Sequence, residues 1–569
     1  MPDTPSLAAV IRDLCTLRPQ EPGAWKGTLR TGIISSVTVL AASALFGPTI
    51  GAMALFGAMM AQWEVGRGLV ARVKTALIVG ATMTGSMALG VSVAHERLWV
   101  IPVLMAVIWL TSAGYYSFVL TRGPGPLHLF YAAAIGSYFG MFGDIGWHGV
   151  EMTAFSTAMT GAMTWLILLP DPRRPERLAV RAAQEAATAF TTALSGAGPL
   201  TPELRLLRHR AYFAINRAWL LLQDTTPGVL GLKVPRRFVD PMLAANRSVA
   251  LATMHQRHPG ARPVTLDPAA DPMPGRPGLG YLIRHGTRLH SIPSFTAWRI
   301  ALAAGLAGAL TEGLGLGHPY WAILTAAIVL HLWIGRIATT LRAIHRAVGT
   351  ALGLCVVYAV GLADPTPWML VWAVVVSIVA MTMLLPFGYA LAMIFVTPMS
   401  LLSIDAATGG PVMDLVRDRF VETLIGAAAA VLVTWLTGVR EPARLVRAQL
   451  PRSLAAIRRT LALIGSGAAM TAPGRQARAE LLFELLQNNA VLSRSSQEDP
   501  ALSVWNEAET EISDTGYLVL GAFWTQNGAT LMDVPAALRE IDALLADLAG
   551  RAMDPPGIAA RIAAIRDHL

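Results

Sequence analysis

Cysteine is almost absent from this sequence. Its 569 residues include only Cys15 and Cys355, which excludes a disulfide framework and a CxxC metal site. Charged residues are scarce as well, because they make up 14% of the chain against roughly a quarter in ordinary soluble domains, whereas 54% of the residues are hydrophobic. This composition argues against a soluble globular protein and is typical of a membrane protein.

Motifs for catalysis and nucleotide binding are also missing. The sequence has no Gly-x-Ser-x-Gly, no His-Glu-x-x-His and no Gly-x-x-x-x-Gly-Lys-[Ser/Thr] motif. Since the last of these holds nucleotide phosphates, we expect no ATP-driven transport by this chain alone. We also expect no enzymatic activity, no metal and no cofactor. The net charge of +9 is distributed between apolar runs, so nucleic acid is not an expected partner.

The sequence does contain long apolar runs. A helix needs about 20 mostly apolar residues to span a bilayer, where the backbone must satisfy its own hydrogen bonds. The first half of the chain predicts six spans, in 31–63 (split by Gly47-Pro48 into a hairpin), 75–94, 98–121, 123–143 and 152–170. The second half predicts six more, in 300–316, 319–335, 347–363, 367–386, 387–404 and 420–438.

Charged, helix-periodic sequence follows each group of spans. We expect a cytoplasmic N-terminal segment (1–30), a first six-span bundle (31–170), a helical cytoplasmic domain (171–293), a second six-span bundle (294–439) and a helical cytoplasmic C-terminal domain (440–569). The order repeats, and a shift of 270 residues aligns Gly47 with Gly317 and Arg72 with Arg342. The expected fold class is all-α, with two parallel six-helix transmembrane repeats.

The basic residues of the short loops predict the orientation. If the N-terminus is inside, the inside segments hold eleven Lys and Arg residues and the outside loops hold three. We therefore expect a multi-pass protein of the inner or plasma membrane with both termini in the cytoplasm. The residues before Thr31 contain no apolar core of a signal peptide, so no cleaved leader is expected.

The second half carries a series of motifs at span entries. They are Tyr320-Trp321-Ala322, then Arg342-x-x-x-Arg346-x-x-Gly349-Thr350-x-x-Gly353, then Thr397, and finally Arg419-x-x-Glu422-Thr423-x-x-Gly426. Together they resemble the fusaric acid resistance and aromatic acid exporter family of bacterial membrane proteins. In the first half the match is weaker, because Arg72 aligns with the first arginine but Ala76 falls at the second.

The resemblance implies efflux of small aromatic or other organic acids, coupled to the proton gradient. The layout is also similar to that of the plant aluminium-activated malate transporters, which act as paired subunits. By that analogy, the two fused halves would surround one central pathway. The implied partners are the lipid bilayer and a small organic anion, and an envelope-spanning protein or a second copy of the chain stays open.

Five basic residues are candidates for gathering the anion at the cytoplasmic mouths of the pathway. They are Arg67, Arg72, Lys74, Arg342 and Arg346. The alternative for each is anchoring to lipid phosphates, which basic loops do in any membrane protein. Trp321 and Thr397 complete the substrate candidates, whereas Gly349, Thr350 and Gly353 are expected to allow close helix packing that fixes the two later arginines.

Three carboxylates are candidates for proton coupling. Glu151 and Glu422 lie near the outer ends of the last spans of the two halves, three residues after His148 and Arg419, and Glu312 lies near the outer end of the seventh span. Ionisable groups in spans are costly and usually face a cavity or a partner. The alternative is a structural ion pair between residues i and i+3 at the membrane boundary.

Two other functions stay open. A passive organic-anion channel gated by the cytoplasmic helices would need no membrane carboxylate, so it predicts that Glu151→Gln and Glu422→Gln leave flux intact. A non-transporting membrane scaffold would depend on its cytoplasmic parts and not on Arg342.

Overall fold

The computed structural model describes residues 16, 24–64, 66–118, 124–195, 200–224, 235–262, 276–316, 319–332, 335–409, 412–438, 440–524, 531, 533–550 and 554–569. Within these ranges the regular structure is all helical, as expected. The chain divides into two compact units. The membrane unit comprises Met1–Gly66, Arg72–Pro170 and Ile292–Val439, and the polar unit comprises Arg67–Ala71, Asp171–Ser291 and Arg440–Leu569.

The helices of the first chain half are as follows. In the membrane unit they are α1 (Ala24–Phe46), α2 (Pro48–Gly51), the 3₁₀ turn Ala52–Ala54, α3 (Leu55–Ala58), the 3₁₀ turn Met59–Glu64, α4 (Leu69–Ser92), α5 (Arg97–Phe118), α6 (Leu127–Phe139), the 3₁₀ turn Gly140–Phe142 and α7 (Asp144–Leu168). In the polar unit they are α8 (Arg174–Ser195), α9 (Pro202–Asp224), α10 (Arg236–His255) and α11 (Leu279–Thr287).

The second half repeats this order. Its membrane helices are α12 (Ile292–Gly313), α13 (Pro319–Leu330), α14 (Arg336–Gly361), α15 (Pro367–Leu384), α16 (Tyr389–Thr408) and α17 (Val412–Thr437). Its polar helices are α18 (Glu441–Gly465), α19 (Ala472–Glu498), the 3₁₀ turn Pro500–Trp505, α20 (Asn506–Ala522), α21 (Val534–Gly550) and α22 (Pro555–Asp567).

Seven of the described helices are long and apolar enough to cross a bilayer, namely α1, α4, α5, α14, α15, α16 and α17. By contrast, α6 and α13 are apolar but have only 13 and 12 residues, short of the about 20 that a span needs. The protein is thus a multi-pass membrane protein. Its division into six plus six spans stays a prediction.

The predicted break at Gly47-Pro48 is confirmed. Gly47 has φ +87°, a conformation that glycine adopts easily, and Pro48 starts the next helix, where its missing N–H costs nothing. The following segment is not one regular helix, because α and 3₁₀ turns alternate from Pro48 to Glu64. The second apolar segment is therefore interrupted in the first half and short in the second half.

Helices of the two halves pack against each other reciprocally within the membrane unit. The first helix of each half contacts the fourth helix of the other, which pairs α1 with α15 and α12 with α5. The second segment of each half contacts the fifth helix of the other, which pairs α13 with α6 and the Ala52–Ala54 turn with α16. At that turn, the Ser403 hydroxyl donates to the carbonyl oxygen of Ala52 at 2.7 Å. One continuous apolar core results.

Helix α14 begins well before the predicted span at 347. It starts at Arg336, so Arg342 and Arg346 lie within the helix and not in a loop. It contacts α16 closely, because a Cβ on Gly349 would lie 2.8 Å from the Ala390 carbonyl oxygen, and one on Gly353 would lie 2.6 Å from that of Ile394. These glycines bring Arg346 against α16.

The polar unit is built from both of its chain segments. Helix α10 packs on α20, and the rings of Tyr212 and Tyr517 stack with centroids 4.4 Å apart. Buried Arg208 on α9 pairs with Asp514 on α20. Residues 171–291 and 440–569 therefore share one core.

Candidate functional site

Buried positive charge is the main polar feature of the membrane unit. Among its described residues, five arginines are at most 9% exposed, against one carboxylate, Glu422, at 0%. The arginines are Arg72, Arg299, Arg336, Arg346 and Arg419. Guanidinium groups stay charged in proteins. The unit therefore holds more cations than its buried carboxylate can neutralise.

Arg419 is held by an aromatic ring. Its guanidinium carbon lies 4.0 Å from the centroid of the Trp321 ring, and both side chains are almost fully buried. Such a cation–π contact stabilises a desolvated cation by about 2 kcal/mol. The Nε and Nη1 atoms of Arg419 have no hydrogen-bond acceptor among the described residues. Trp321, expected to stack on substrate, is thus in contact with the arginine.

Arg346 has an equally unusual environment. Its Nη1 lies 2.8 Å from the thioether sulfur of Met393, a weak acceptor, and within the described part of the chain its Nε has none. One turn earlier, half-buried Arg342 lies over the ring of Tyr389 at 4.1 Å. Both arginines are therefore placed against α16 by soft or aromatic groups rather than by carboxylates.

Two of the buried arginines, Arg346 and Arg419, form a cluster that includes a residue of the other half. Arg346 and Arg419 act on each other electrostatically, and both act on the hydroxyl of Tyr131, which is next to Ser400. Tyr131 belongs to α6 of the first half, whereas the arginines belong to α14 and α17 of the second. We call Tyr131, Trp321, Arg346, Ser400 and Arg419 the arginine cluster. Its position follows from the contact of α6 with α13.

The three candidate carboxylates lie in different environments. Glu422 is fully buried one turn after Arg419, and it acts electrostatically on Arg419 and Tyr320. Glu151 is exposed over 65% of its side chain and contacts His148 at 3.1 Å, so this pair has the i,i+3 geometry that was the alternative to a coupling role. Glu312 is half-buried near the end of α12. Of the three, Glu422 adjoins the arginine cluster.

The other candidates are dispersed. Arg72 is buried and donates to the carbonyl oxygen of Thr164 on α7, whereas Lys74 is exposed on the same helix. Arg67 precedes α4 and is grouped with the polar unit. Thr397 is buried, and its hydroxyl donates to the Met393 carbonyl oxygen of its own helix at 3.3 Å. Within the membrane unit, Arg72 and Lys74 thus lie in different environments, one buried and one exposed.

Sequence reasoning missed several polar members of the membrane unit. Arg299 and Arg336 lie over the rings of Phe295 and Trp435, at 5.3 and 5.4 Å. Their position in otherwise apolar helices was a usable signal. Tyr131 gave no such signal, because only the packing of the two halves brings it to the arginines. Among the described residues, no cluster of His, Cys, Asp and Glu could hold a metal ion.

Comparison with known proteins bears on this region. Residues 303–433 match the family described as fusaric acid resistance protein-like. No curated protein and no solved structure matches the chain. The matched segment runs from α12 into α17 and contains Trp321, Arg346, Arg419 and Glu422. The resemblance drawn from the motifs is confirmed: the chain is a multi-pass membrane protein whose residues 303–433 are similar to the fusaric acid resistance protein-like family.

Proposed function

We propose that this protein exports small organic carboxylic acids, aromatic acids among them, through the membrane unit, and that the proton gradient drives the export. The observations that carry the proposal are two fully buried arginines, Arg346 and Arg419, each with N–H groups that have no acceptor among the described residues. A buried cation without a counter-ion is costly in a medium of low dielectric constant. A carboxylate passing through the unit would supply acceptors and a negative charge to these two groups.

The arginine cluster offers the groups that such an anion needs. Hydrogen bonds between a guanidinium and a carboxylate are among the strongest in proteins, and both Arg346 and Arg419 have N–H groups without acceptors among the described residues. Trp321 and Tyr131 add aromatic surface beside them. This combination favours an acid with an aromatic or apolar body over a strongly hydrated inorganic anion.

The location of the cluster also supports a transport pathway. In transporters built from two repeats, short or interrupted helices at corresponding positions point to the binding site. Here α13 is short, its counterpart from Pro48 to Glu64 is interrupted, and Trp321 lies on α13. We therefore propose that the two halves are repeats around one pathway, with both termini in the cytoplasm as the loop charges predict.

Transport into proteoliposomes tests the role of the cluster. Arg419→Gln should lower the uptake of labelled 4-hydroxybenzoate at least about tenfold, since a hydrogen bond to a charged group contributes roughly 1.5–3 kcal/mol. Arg417→Gln is the matched control, because Arg417 is exposed two residues earlier on the same helix. Arg419→Lys keeps the charge but loses the planar group, so it should be impaired as well.

The time course distinguishes the exporter from the channel. Accumulation above equilibrium that needs a pH gradient and collapses with an uncoupler supports proton-driven export. Flux that only equilibrates favours the passive channel. If Arg419→Gln and Arg417→Gln transport equally well, the arginine cluster is not on the pathway and the proposal is wrong.

A further inference from the structure

A cavity of about 500 Å³ lies within the polar unit, between helices from both of its chain segments. Segment 171–291 contributes Arg205 and Arg208 on α9 and Arg257 just after α10. Segment 440–569 contributes Asp514 on α20 and Arg566 on α22. The volume is in the range of small-molecule sites, about 300–1,000 Å³.

The carboxylate of Asp514 pairs with three of the arginines that line this cavity. The oxygens of Asp514 lie 3.1 Å from Arg205 Nε and 3.6 Å from Arg566 Nη1, and they also accept from Arg208. A single negative charge cannot neutralise three guanidinium groups. The cavity wall is therefore positively charged around Asp514.

Two more carboxylates pair with arginines that line the cavity. Glu511 pairs with Arg566 at 2.5 Å, and Asp567 pairs with Arg257 at 2.7 Å on the exposed side. Together with Asp514, they give three negative charges against four arginines. Among the residues that line the cavity itself, Asp514 is the one carboxylate, together with four arginines and His255.

Arg208 is the most deeply buried member of this group. It is 1% exposed and lies over the Tyr517 ring at 4.8 Å. Its Nε has no acceptor in the described part of the chain, and the same holds for Nε of Arg566. Buried donors without acceptors are rare in proteins and are often satisfied by a bound group. These donors thus point to a ligand that carries acceptors.

A fourth carboxyl group, that of Glu509, lies in a neighbouring cavity. Glu509 lines a smaller cavity of about 250 Å³ on which Arg205 and Arg208 also border. Burial raises the pKa of Glu509, whereas the nearby charge of Arg208 lowers it, so Glu509 is a further acidic group close to Arg208. The remaining wall of the larger cavity is partly apolar, with Leu200 and Leu518.

We propose that this cavity binds a small organic carboxylic acid, whose carboxylate meets Arg205, Arg208 and Arg257 and whose apolar body contacts Leu200 and Leu518. The bound acid would join the two segments of the polar unit and so act as an effector of it, because groups from both segments contact one ligand. The ligand class follows from the cavity itself and does not depend on the proposed transport.

Hydrogen–deuterium exchange of the purified full chain, with 4-hydroxybenzoate as the probe, tests this site. We expect the acid to slow exchange in residues 202–210 and 511–518. The double variant Arg205→Gln, Arg257→Gln should weaken that protection at least tenfold in apparent Kd, since both side chains are one-third exposed and their removal leaves the buried Arg208–Asp514 pair intact. Arg210→Gln, exposed on the same helix, is the matched control and should bind as the wild type does.

Two further variants complete the test of this site. Arg419→Gln, in the membrane unit, should leave the protection unchanged, so that failure of transport and failure of this site are separable. If the double variant does not fold, the single variant Arg257→Gln takes its place. Absence of protection in the wild type, equal protection in the variants at Arg205 and Arg257, or protection by inorganic phosphate alone would overturn the proposal.

Discussion

Arg419 and Arg346 are placed by groups that do not neutralise them. A ring of Trp321 faces the first and the thioether of Met393 contacts the second. A carboxylate in either place would form an ion pair with the arginine and neutralise it, so that the arginine would not bind a further anion. An aromatic or sulfur contact positions the guanidinium and leaves its charge available. This is a useful arrangement for a group that must bind an anion and release it.

Glu422 is the carboxylate that we expect to matter for coupling. Glu422→Gln should abolish accumulation of 4-hydroxybenzoate against its gradient, because the variant removes the one described buried carboxylate next to the arginine cluster. Uptake down the gradient should persist. Glu151→Gln is the comparison and should change accumulation less than twofold, since that side chain is 65% exposed.

Proteoliposomes with an imposed pH gradient provide the measurement. Equal accumulation by Glu422→Gln and the wild type would exclude this carboxylate from coupling and would favour the passive channel. Loss of accumulation in Glu151→Gln alone would move the coupling site to the first half.

His209 gives the polar unit a pH-dependent stability. Burial, and then the charge of Arg208, lower the pKa of His209 from 6.5 to about 4. The unfolded chain therefore takes up this proton first as the pH falls, so stability is complete above pH 6.5 and is lost progressively down to about pH 4. The loss amounts to about 3 kcal/mol at most.

Thermal unfolding of the purified full chain at pH 7 and pH 5 measures this effect. His209→Gln should lower the stability at pH 7, because the contact with the Tyr517 hydroxyl at 3.1 Å changes. The difference in stability between pH 7 and pH 5 should be smaller in this variant than in the wild type. His95→Gln, at an exposed position of the membrane unit, should behave as the wild type. An unchanged pH dependence in His209→Gln would refute the assignment.

At the scale of single elements, close packing of α14 on α16 depends on two glycines. A Cβ on Gly353 would lie 2.6 Å from the Ile394 carbonyl oxygen and 2.7 Å from Thr397 Cβ. Gly353→Ala should therefore destabilise the protein by about 1–3 kcal/mol through overpacking. It should also impair transport, because Arg346 lies on the same helix.

Gly114→Ala provides the matched control for that prediction. Gly114 is also within a membrane helix, but a Cβ added there would have no heavy atom within 4 Å beyond its chain neighbours and the adjoining backbone of its own helix. At this position the better helix propensity of alanine should stabilise by up to about 1 kcal/mol. In detergent, the unfolding midpoints of the two variants should thus shift in opposite directions from that of the wild type. A shift of the same sign and size would mean that the α14–α16 contact is not tight.

The sequence predicted where the helices lie better than where they begin. Gly47-Pro48 marks a real break, because a turn with positive φ followed by proline is a local property. The start of α14 was predicted eleven residues too late, since apolar content alone places Arg336, Arg342 and Arg346 outside the span. In the structure, these arginines contact aromatic rings and the sulfur of Met393, and those partners are distant from the arginines in sequence.

At the scale of the whole molecule, the site joins parts that no local pattern connects. Trp321, Arg346 and Glu422 could be named from motifs in the second half, because those motifs are contiguous. Tyr131 could not, since only the packing of α6 on α13 brings it into electrostatic range of Arg346 and Arg419. The cavity of the polar unit escaped prediction for the same reason, as Arg208 and Asp514 are 306 residues apart.

The shared core of the polar unit predicts that its two segments associate without a covalent link. When residues 1–439 and 440–569 are expressed together as separate chains, we expect them to copurify. The stacked rings of Tyr212 and Tyr517, the Arg208–Asp514 pair and the close approach of Gly521 to Met254 all join the two chains. Asp514→Ala should disrupt the complex, because removal of one partner from a buried ion pair costs about 3–5 kcal/mol.

Asp542→Ala is the control for that experiment. Asp542 also pairs with an arginine, but the partner is Arg458 of the same segment and both side chains are almost half exposed. Its loss should leave copurification intact, since exposed pairs contribute about 0–1 kcal/mol. Failure of the wild-type chains to associate, or equal loss in both variants, would show that each segment folds by itself. A ligand could not then join them in the manner proposed for the cavity, so this experiment also sets a condition for that site.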